Sequence, residues 1–303
     1  MPTVEPLAPH DLPAALPLVL AGPDDSPRRA AESARTFARY LAECELPWDG
    51  WRCGPLRAPI GIALAVELPG RTTVLLPAIP GQRAITAEGA REVVREALSV
   101  LRARRPHYAQ VLADPAAASL AALLEEFAFR RLTRLLYLER DAVYPWVEPP
   151  PADVVQWVAY EPARHADFVS VVRATYVNSA DCPELNDLRP VEDALAAHRA
   201  GGPFDPALWE LAVCAGTPAG CLLLTRAVHG EALEVAYMGV VPAARRRGLG
   251  AFLLQRALAH CRAAQVPRLA LVVDARNAAA RRLYARFALS AVGERDAFLL
   301  PLG

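Results

Sequence analysis

The sequence predicts an α/β protein made of two tandem copies of one mixed-sheet α+β unit. Three observations carry that expectation. The chain has 303 residues, about twice an ordinary domain. Short apolar, β-branched runs alternate with stretches of helical spacing. A shift of 160 residues also superposes one landmark after another: Asp114 on Asp274, Leu123 on Leu283, Phe127 on Phe287, Ala128 on Ala288, and Pro69–Gly70 on His229–Gly230. Around Ile79–Pro80 and Val241–Pro242 the shift becomes 162, a two-residue length difference inside a loop. A near-constant offset over several elements reads as duplication. The halves are expected at 1–143 and 153–303, joined by 144–152, whose run YPWVEPPPA makes a stiff extended linker.

The elements follow in the same order in each half. Pro59–Leu68 and Thr72–Pro77 are strand-like runs on either side of the Pro69–Gly70 turn, which predicts a hairpin. Past the linker, the polar segment 175–189 contains an Asp181-Cys182-Pro183 turn and leads into a helix over Val191–Arg199. Ala219–Val228 and Ala232–Val241 repeat the hairpin. A loop over 243–249 precedes a helix over 250–264, where Phe252, Leu253, Leu254, Ala257, Leu258 and Cys261 recur at helical spacing. Arg268–Asp274 (RLALVVD) suits a buried strand. A helix over 277–287 and a strand over 292–300 close the half.

Composition removes several function classes. An apolar fraction of 53% supports a buried core. Basic and acidic residues balance at 33 each, so the overall field of a nucleic-acid or anionic-membrane binder is missing. All 33 basic residues are arginine. With no lysine, Schiff-base chemistry and a Walker-type phosphate loop are excluded. Neither the six cysteines nor the six histidines have metal-site spacing, no G-x-S-x-G elbow occurs, and no apolar run reaches transmembrane length. The cysteine usage reads as reduced thiols, and the start of the chain lacks the marks of a signal peptide. The expectation is a cytoplasmic protein with no metal and no nucleic-acid or membrane partner.

The sharpest local feature is VVPAARRRGLG, residues 240–250. A strand runs into a basic, glycine-containing turn and then into a helix. Amides at a helix start are unpaired and lie at the positive end of the helix dipole. Gly248 and Gly250 let the main chain approach a ligand, and Arg245, Arg246 and Arg247 add charge. A diphosphate is the natural guest.

Here the sequence resembles the GNAT superfamily of acetyl-CoA-dependent N-acetyltransferases. The matching residues are Met238-x-Val240-x-Pro242, Arg245-x-x-Gly248-x-Gly250, and Asn277-x-x-Ala280-x-x-x-Tyr284-x-x-Phe287. They cover the last third of the chain, and the layout is similar to tandem members of the family. The resemblance implies two acyl-CoA N-acyltransferase-like domains and an acetyl group moved to an amine acceptor. It implies that the loop amides around Arg246–Ala251, Leu249 included, bind the CoA pyrophosphate. The backbone of Met238, Gly239 and Val240 would pair with the pantetheine arm, and an amide there would polarise the thioester carbonyl. Asn277 would contact the cofactor, and Tyr284 would protonate the departing thiolate.

The attacking amine must be neutral, whereas an alkylamine with pKa about 10 is mostly protonated at pH 7. A base is therefore useful. Glu234 lies on the strand before Met238 and shares its parity along the sequence, which places it toward the same cleft. Tandem members of the family also carry a glutamate there. Asp181 or Glu184 could hold a cationic acceptor. In the first half the same offsets replace Tyr284 by Leu124, Asn277 by Ala117 and Glu234 by Val74, and the two loop glycines become Thr86 and Glu88. The first half is expected to be degenerate and to bind no CoA through such a loop. A non-catalytic CoA-binding regulatory or scaffold protein, or a transferase using another acyl-CoA, remain the alternatives.

Overall fold

The computed structural model describes residues 2–142, 155–227 and 231–303. The expected linker 144–152 and the His229–Gly230 turn lie outside the described residues. The chain forms two compact units, Met1–Thr133 with Arg295–Gly303, and Arg134–Glu294. Each layers helices on a mixed sheet, the α/β class expected.

The first unit runs through β1 (Val4–Pro6), α1 (Leu12–Val19), α2 (Pro27–Glu43), β2 (Trp48–Cys53), β3 (Gly61–Leu68), β4 (Thr72–Pro77), α3 (Ala87–Arg104), β5 (Tyr108–Ala113), α4 (Ala118–Glu126) and the start of β6 (Arg130–Asp141). Strands β1 to β4 are successive antiparallel neighbours, and β5 lies parallel to β4. The hairpin read from Pro69–Gly70 is β3–β4, with Leu68 opposite Thr72. Helix α3 turns Val93, Val94, Ala97, Leu98 and Leu101 onto the core that holds Ile62 and Leu64 of β3. That stripe of i, i+3 and i+4 positions is what orients the helix.

The second unit continues with the rest of β6, then β7 (Gln156–Ala159), α5 (His165–Tyr176), α6 (Val191–Arg199), β8 (Trp209–Cys214), β9 (Thr217–Arg226), β10 (Ala232–Val240), α7 (Leu249–Ala263), β11 (Arg268–Asp274), α8 (Ala278–Arg286) and the start of β12 (Ser290–Pro301). Strands β7 to β10 are antiparallel neighbours, and β11 lies parallel to β10. Both faces of this sheet are covered. Leu222 and Leu224 point to the core under α7, and Cys221 and Leu223 to the core under α5 and α6. This two-sided burial explains why β9 reads as a continuous apolar run rather than an alternating one.

The compact units differ from the sequence halves by an exchange of last strands. Residues Leu135–Asp141 of β6 pair antiparallel with β11 inside the second unit. Residues Asp296–Pro301 of β12 pair with β5 inside the first, where Phe298 and Leu300 join the core. Among the described residues, no helix is long and apolar enough to cross a membrane.

Candidate active site

The site begins where β10 parts from β11. Their parallel pairing covers only Ala232–Val235 against Arg268–Leu271, whereas β10 stays paired with β9 as far as Val240. Val235 faces Leu224 and Tyr237 faces Leu223, so Ala236 is the extra residue of a bulge. Val241 N–H donates to the Ala219 carbonyl on the β9 side. By strand alternation the N–H groups of Val240 and Met238 therefore point away from β9, into the opening. The opening leads to a cavity of about 680 Å³.

Most residues singled out in the sequence meet on this cavity. Its wall includes Met238, Gly239, Val240, Arg245, Arg246, Gly248, Leu249, Gly250, Ala251, Asn277, Tyr284 and Asp181. Arg247, Glu184 and Glu234 stand outside it.

The loop after β10 makes a single 3-10 turn at Pro242–Ala244 and then adopts left-handed backbone at Arg246 (φ 65°) and Gly248 (φ 87°). Gly248 is the residue that makes the second of these cheap. It also sits at the N-cap of α7 and supplies no capping side chain. Residues 245–248 form a turn, and the amides of 246 to 250 make no close hydrogen bond to a described residue; the first to make one is Ala251, to the Gly248 carbonyl at 2.9 Å. An unpaired run of N–H groups at the start of a 15-residue helix is an anion cradle. Arg245 has a different task from the one expected. Its guanidinium donates to the carbonyls of Val240 (3.0 Å), Thr175 (2.8 Å) and Asn178 (3.1 Å), and so ties the loop to the end of α5. Arg246 is exposed on the cavity wall.

Helix α8 brings Tyr284 to the opposite wall as its buried residue, 7% exposed. The Tyr284 hydroxyl makes no hydrogen bond to a described residue. Burial, and then the charge of Asp181, raise its pKa above the ordinary phenol value, so it keeps its proton at neutral pH. Asn277 caps α8, accepting from Ala280 N–H at 3.1 Å, and its side chain is among the groups that hold the Asp181 pKa down against burial.

The 181–184 segment is clamped to the end of β11. Asp274 N–H donates to Asp181 at 3.1 Å, and Cys182 N–H donates to the fully buried Asp274 carboxylate at 3.1 Å. Arg276 bridges Asp274 (2.7 Å) and both oxygens of Glu184 (2.6 and 2.9 Å). Its hydrogen bonds hold the Glu184 carboxyl below the usual range. Glu184 is thus occupied in fixing the segment, while Asp181 faces the cavity. Asp274, Arg276, Thr175 and Tyr237 were missed in the sequence. RLALVVD and the Asp-Cys-Pro turn were visible, but nothing local to either announces that they meet.

The bulge corrects the argument made for Glu234. Parity along an unbroken strand put Glu234 with Met238. The extra residue at Ala236 reverses this: Leu233 and Val235 share the α7 face with Met238 and Val240. Glu234 shares the other face with Tyr237, which packs toward α5. Glu234 is exposed there, opposite Thr225 of β9 and Ala270 of β11.

The matching place in the first unit is closed. The Thr86 hydroxyl caps α3 by accepting from Gly89 N–H at 3.0 Å, and Thr86 N–H donates to the Ile60 carbonyl at 2.8 Å. Leu124, in the place of Tyr284, is wholly inside the core.

A helix-start anion cradle beside a splayed pair of parallel strands defines a class, and comparison with known proteins agrees with it. Residues 173–288 match the model of the acetyltransferase (GNAT) family. Across 99% of this chain and 95% of the other, the fold follows that of a GCN5-related N-acetyltransferase from Sphaerobacter thermophilus, at a TM-score of 0.72 and 18% identity. It also follows a tandem GNAT protein from the clavulanic acid biosynthesis pathway, at a TM-score of 0.58 and 14% identity over 100% and 99% of the two chains. The chain thus has the fold of these tandem structures, and the part of it that matches the acetyltransferase (GNAT) family model, residues 173–288, lies in the second unit. Among curated proteins it is similar to the mycothiol acetyltransferase of Thermobispora bispora, 34% identical over 177 residues, or 56% of this chain and 57% of that one. It is likewise similar to the mycothiol acetyltransferase of Salinispora tropica, 35% identical over 176 residues, or 55% of each chain. Each match spans little more than half the length of the relative. The fold class and the family read from the sequence are borne out.

Proposed function

We propose that the second unit moves the acetyl group of acetyl-CoA to a primary amine by direct attack in a ternary complex. The observation that carries this reading is the unpaired amide run 246–250 at the mouth of a cavity whose far wall holds Tyr284. These donors fit an anion: several N–H bonds to charged oxygens contribute roughly 1.5–3 kcal/mol each, and Arg246 adds a cation. The likeness to mycothiol acetyltransferases supports acetyl transfer as the reaction.

The residues divide the work as follows. Amides 246–250 hold the pyrophosphate. The N–H groups of Met238 and Val240, which point into the splay, align the pantetheine arm, and an amide at this strand end polarises the thioester carbonyl. Glu234 takes one proton from the acceptor ammonium, through a water. The amine nitrogen then bonds to the acetyl carbon as the carbon–sulfur bond breaks. Tyr284 gives its proton to the departing sulfur and recovers one from the nitrogen. The ammonium thus loses two protons, one ending on the thiol of CoA and one in solvent by way of Glu234.

Purified protein, acetyl-CoA and a broad panel of primary amines, followed by release of the CoA thiol, test the reading. Turnover is expected, with Tyr284→Phe lowering kcat on the order of 10²–10⁴-fold while acetyl-CoA affinity stays the same. Acetyl-CoA binding with no turnover over the panel would replace the enzyme by a CoA-binding regulator. Turnover only with a longer acyl-CoA would change the donor.

A further inference from the structure

We propose that Arg246, Arg282 and Arg286 form a second anion subsite on the cavity wall, suited to a phosphate monoester and filled by the 3′-phosphate on the ribose of CoA. The inference rests on the acetyl-CoA reading above and adds a group of the nucleotide that this chain selects, apart from the pyrophosphate given to the loop amides.

Charge is balanced over the whole chain but not along it. Residues 235–293 hold ten arginines and one acid, Asp274. Six of the ten have partners within the chain: Arg245 and Arg281 on carbonyls, Arg256, Arg268 and Arg276 on acids, and Arg262. The other four, Arg246, Arg247, Arg282 and Arg286, are exposed and make no hydrogen bond or ion pair to a described residue. All of these but Arg247 line the cavity. Unpaired charges on a merely solvated surface have no reason to gather on one opening. These three do, and they come from two elements, the loop before α7 and the helix α8.

Packing sets α8 beside the amide run. Gly250, in that run, rests on α8: a Cβ built there would stand 3.1 Å from Leu283 Cδ2. Arg282 precedes Leu283, and Arg286 lies four residues further along the same stripe of the helix as Arg282. Like charges at this spacing repel, and α8 carries no acid to relieve them. An anion between them removes that cost. A phosphate monoester brings about −1.5 to −2 charge at pH 7 and terminal oxygens that a planar guanidinium grips bidentately. The pyrophosphate of CoA is already matched by main-chain donors, which carry no net charge of their own. The 3′-phosphate, on the ribose that the pyrophosphate bears, is the more highly charged group and falls to the arginines.

Acetyl-CoA and 3′-dephospho-acetyl-CoA share the pyrophosphate, the pantetheine arm and the acetyl group, so the difference between them reads this subsite without an acceptor being known. Calorimetry on the full chain is expected to give a preference for acetyl-CoA of about tenfold or more, the scale of a charge-assisted hydrogen bond. The preference should shrink as added salt screens these exposed charges. Arg282→Gln combined with Arg286→Gln should bring the two affinities level and bind the dephospho form like the wild type, which also reports that the variant folds. Arg246→Gln, whose amide stays in the run, should reduce the preference several-fold. Arg173→Gln removes an exposed charge of α5 that is not on the cavity wall and should leave the preference as it is. Equal affinity of the wild type for the two ligands, a preference that survives the paired substitution, or one lost equally in Arg173→Gln overturns the subsite. A paired substitution that weakens both ligands alike gives the arginines to the pyrophosphate and overturns it too. A preference untouched in Arg246→Gln removes that residue from it. If the wild type binds neither ligand, the cofactor reading fails and takes the subsite with it.

Discussion

Tyr284 and Leu124 occupy matching places in the two halves, and a hydroxyl at the edge of a cavity separates the one from the other. Leu124 is closed inside a core, whereas Tyr284 packs in its core and also lines the cavity. The second unit also holds a polar cluster that belongs to stability rather than chemistry. Glu210, 3% exposed, accepts from Arg256 at 2.8 and 2.5 Å and contacts His260 at 2.8 Å. Burial pushes the Glu210 carboxyl up, but the Arg256 and His260 hydrogen bonds outweigh it and leave it below the usual value. A carboxyl depressed in the folded state contributes stability above its unfolded pKa and loses it as pH falls through the folded one. Glu210→Gln is expected to cost about 1–3 kcal/mol at neutral pH, with the deficit shrinking toward about pH 3. Urea melts at the two pH values check this, and a deficit that grows in acid would contradict it. Glu210 was not legible in the sequence, because its partners lie 46 and 50 residues away. Glu234 was legible as a residue but not as a direction, because one inserted alanine reverses the face of everything before it.

At the scale of elements, local period was enough. The apolar stripe that starts at Phe252 gives α7, and the glycines before it give the turn that leaves the helix start uncapped. The hairpins follow from two apolar runs on either side of a turn. What local period cannot carry is pairing at long range. The stretches 135–141 and 296–301 look like the last strand of their own half, yet each completes the sheet of the other unit. The Phe298 side chain is 2% exposed in the first unit's core. Phe298→Ala should therefore cost about 3–5 kcal/mol and fall on the first unit. Hydrogen exchange is expected to quicken at the β5 amides and to leave those of β9 as they were. Faster exchange at β9 with β5 unchanged would place the strand in the wrong unit.

Across the whole molecule, the two units share a fold and differ, among the described residues, at the helix start that follows the second strand of each hairpin. The second copy leaves amides 246–250 without a close acceptor among the described residues. The first has filled the matching helix start with its own Thr86 hydroxyl and carries Glu88 in the first turn, a carboxylate that would repel a phosphate. On the proposed reading, main-chain hydrogens of the 246–250 loop hold the anionic part of CoA. Calorimetric titration of the full chain with acetyl-CoA, beside Gly248→Val, tests it most directly. Valine cannot adopt the left-handed backbone of position 248 without strain. One acetyl-CoA per wild-type chain is expected, with an affinity at least about tenfold weaker in Gly248→Val. Two molecules per chain, or a Gly248→Val protein that binds like the wild type, would contradict it.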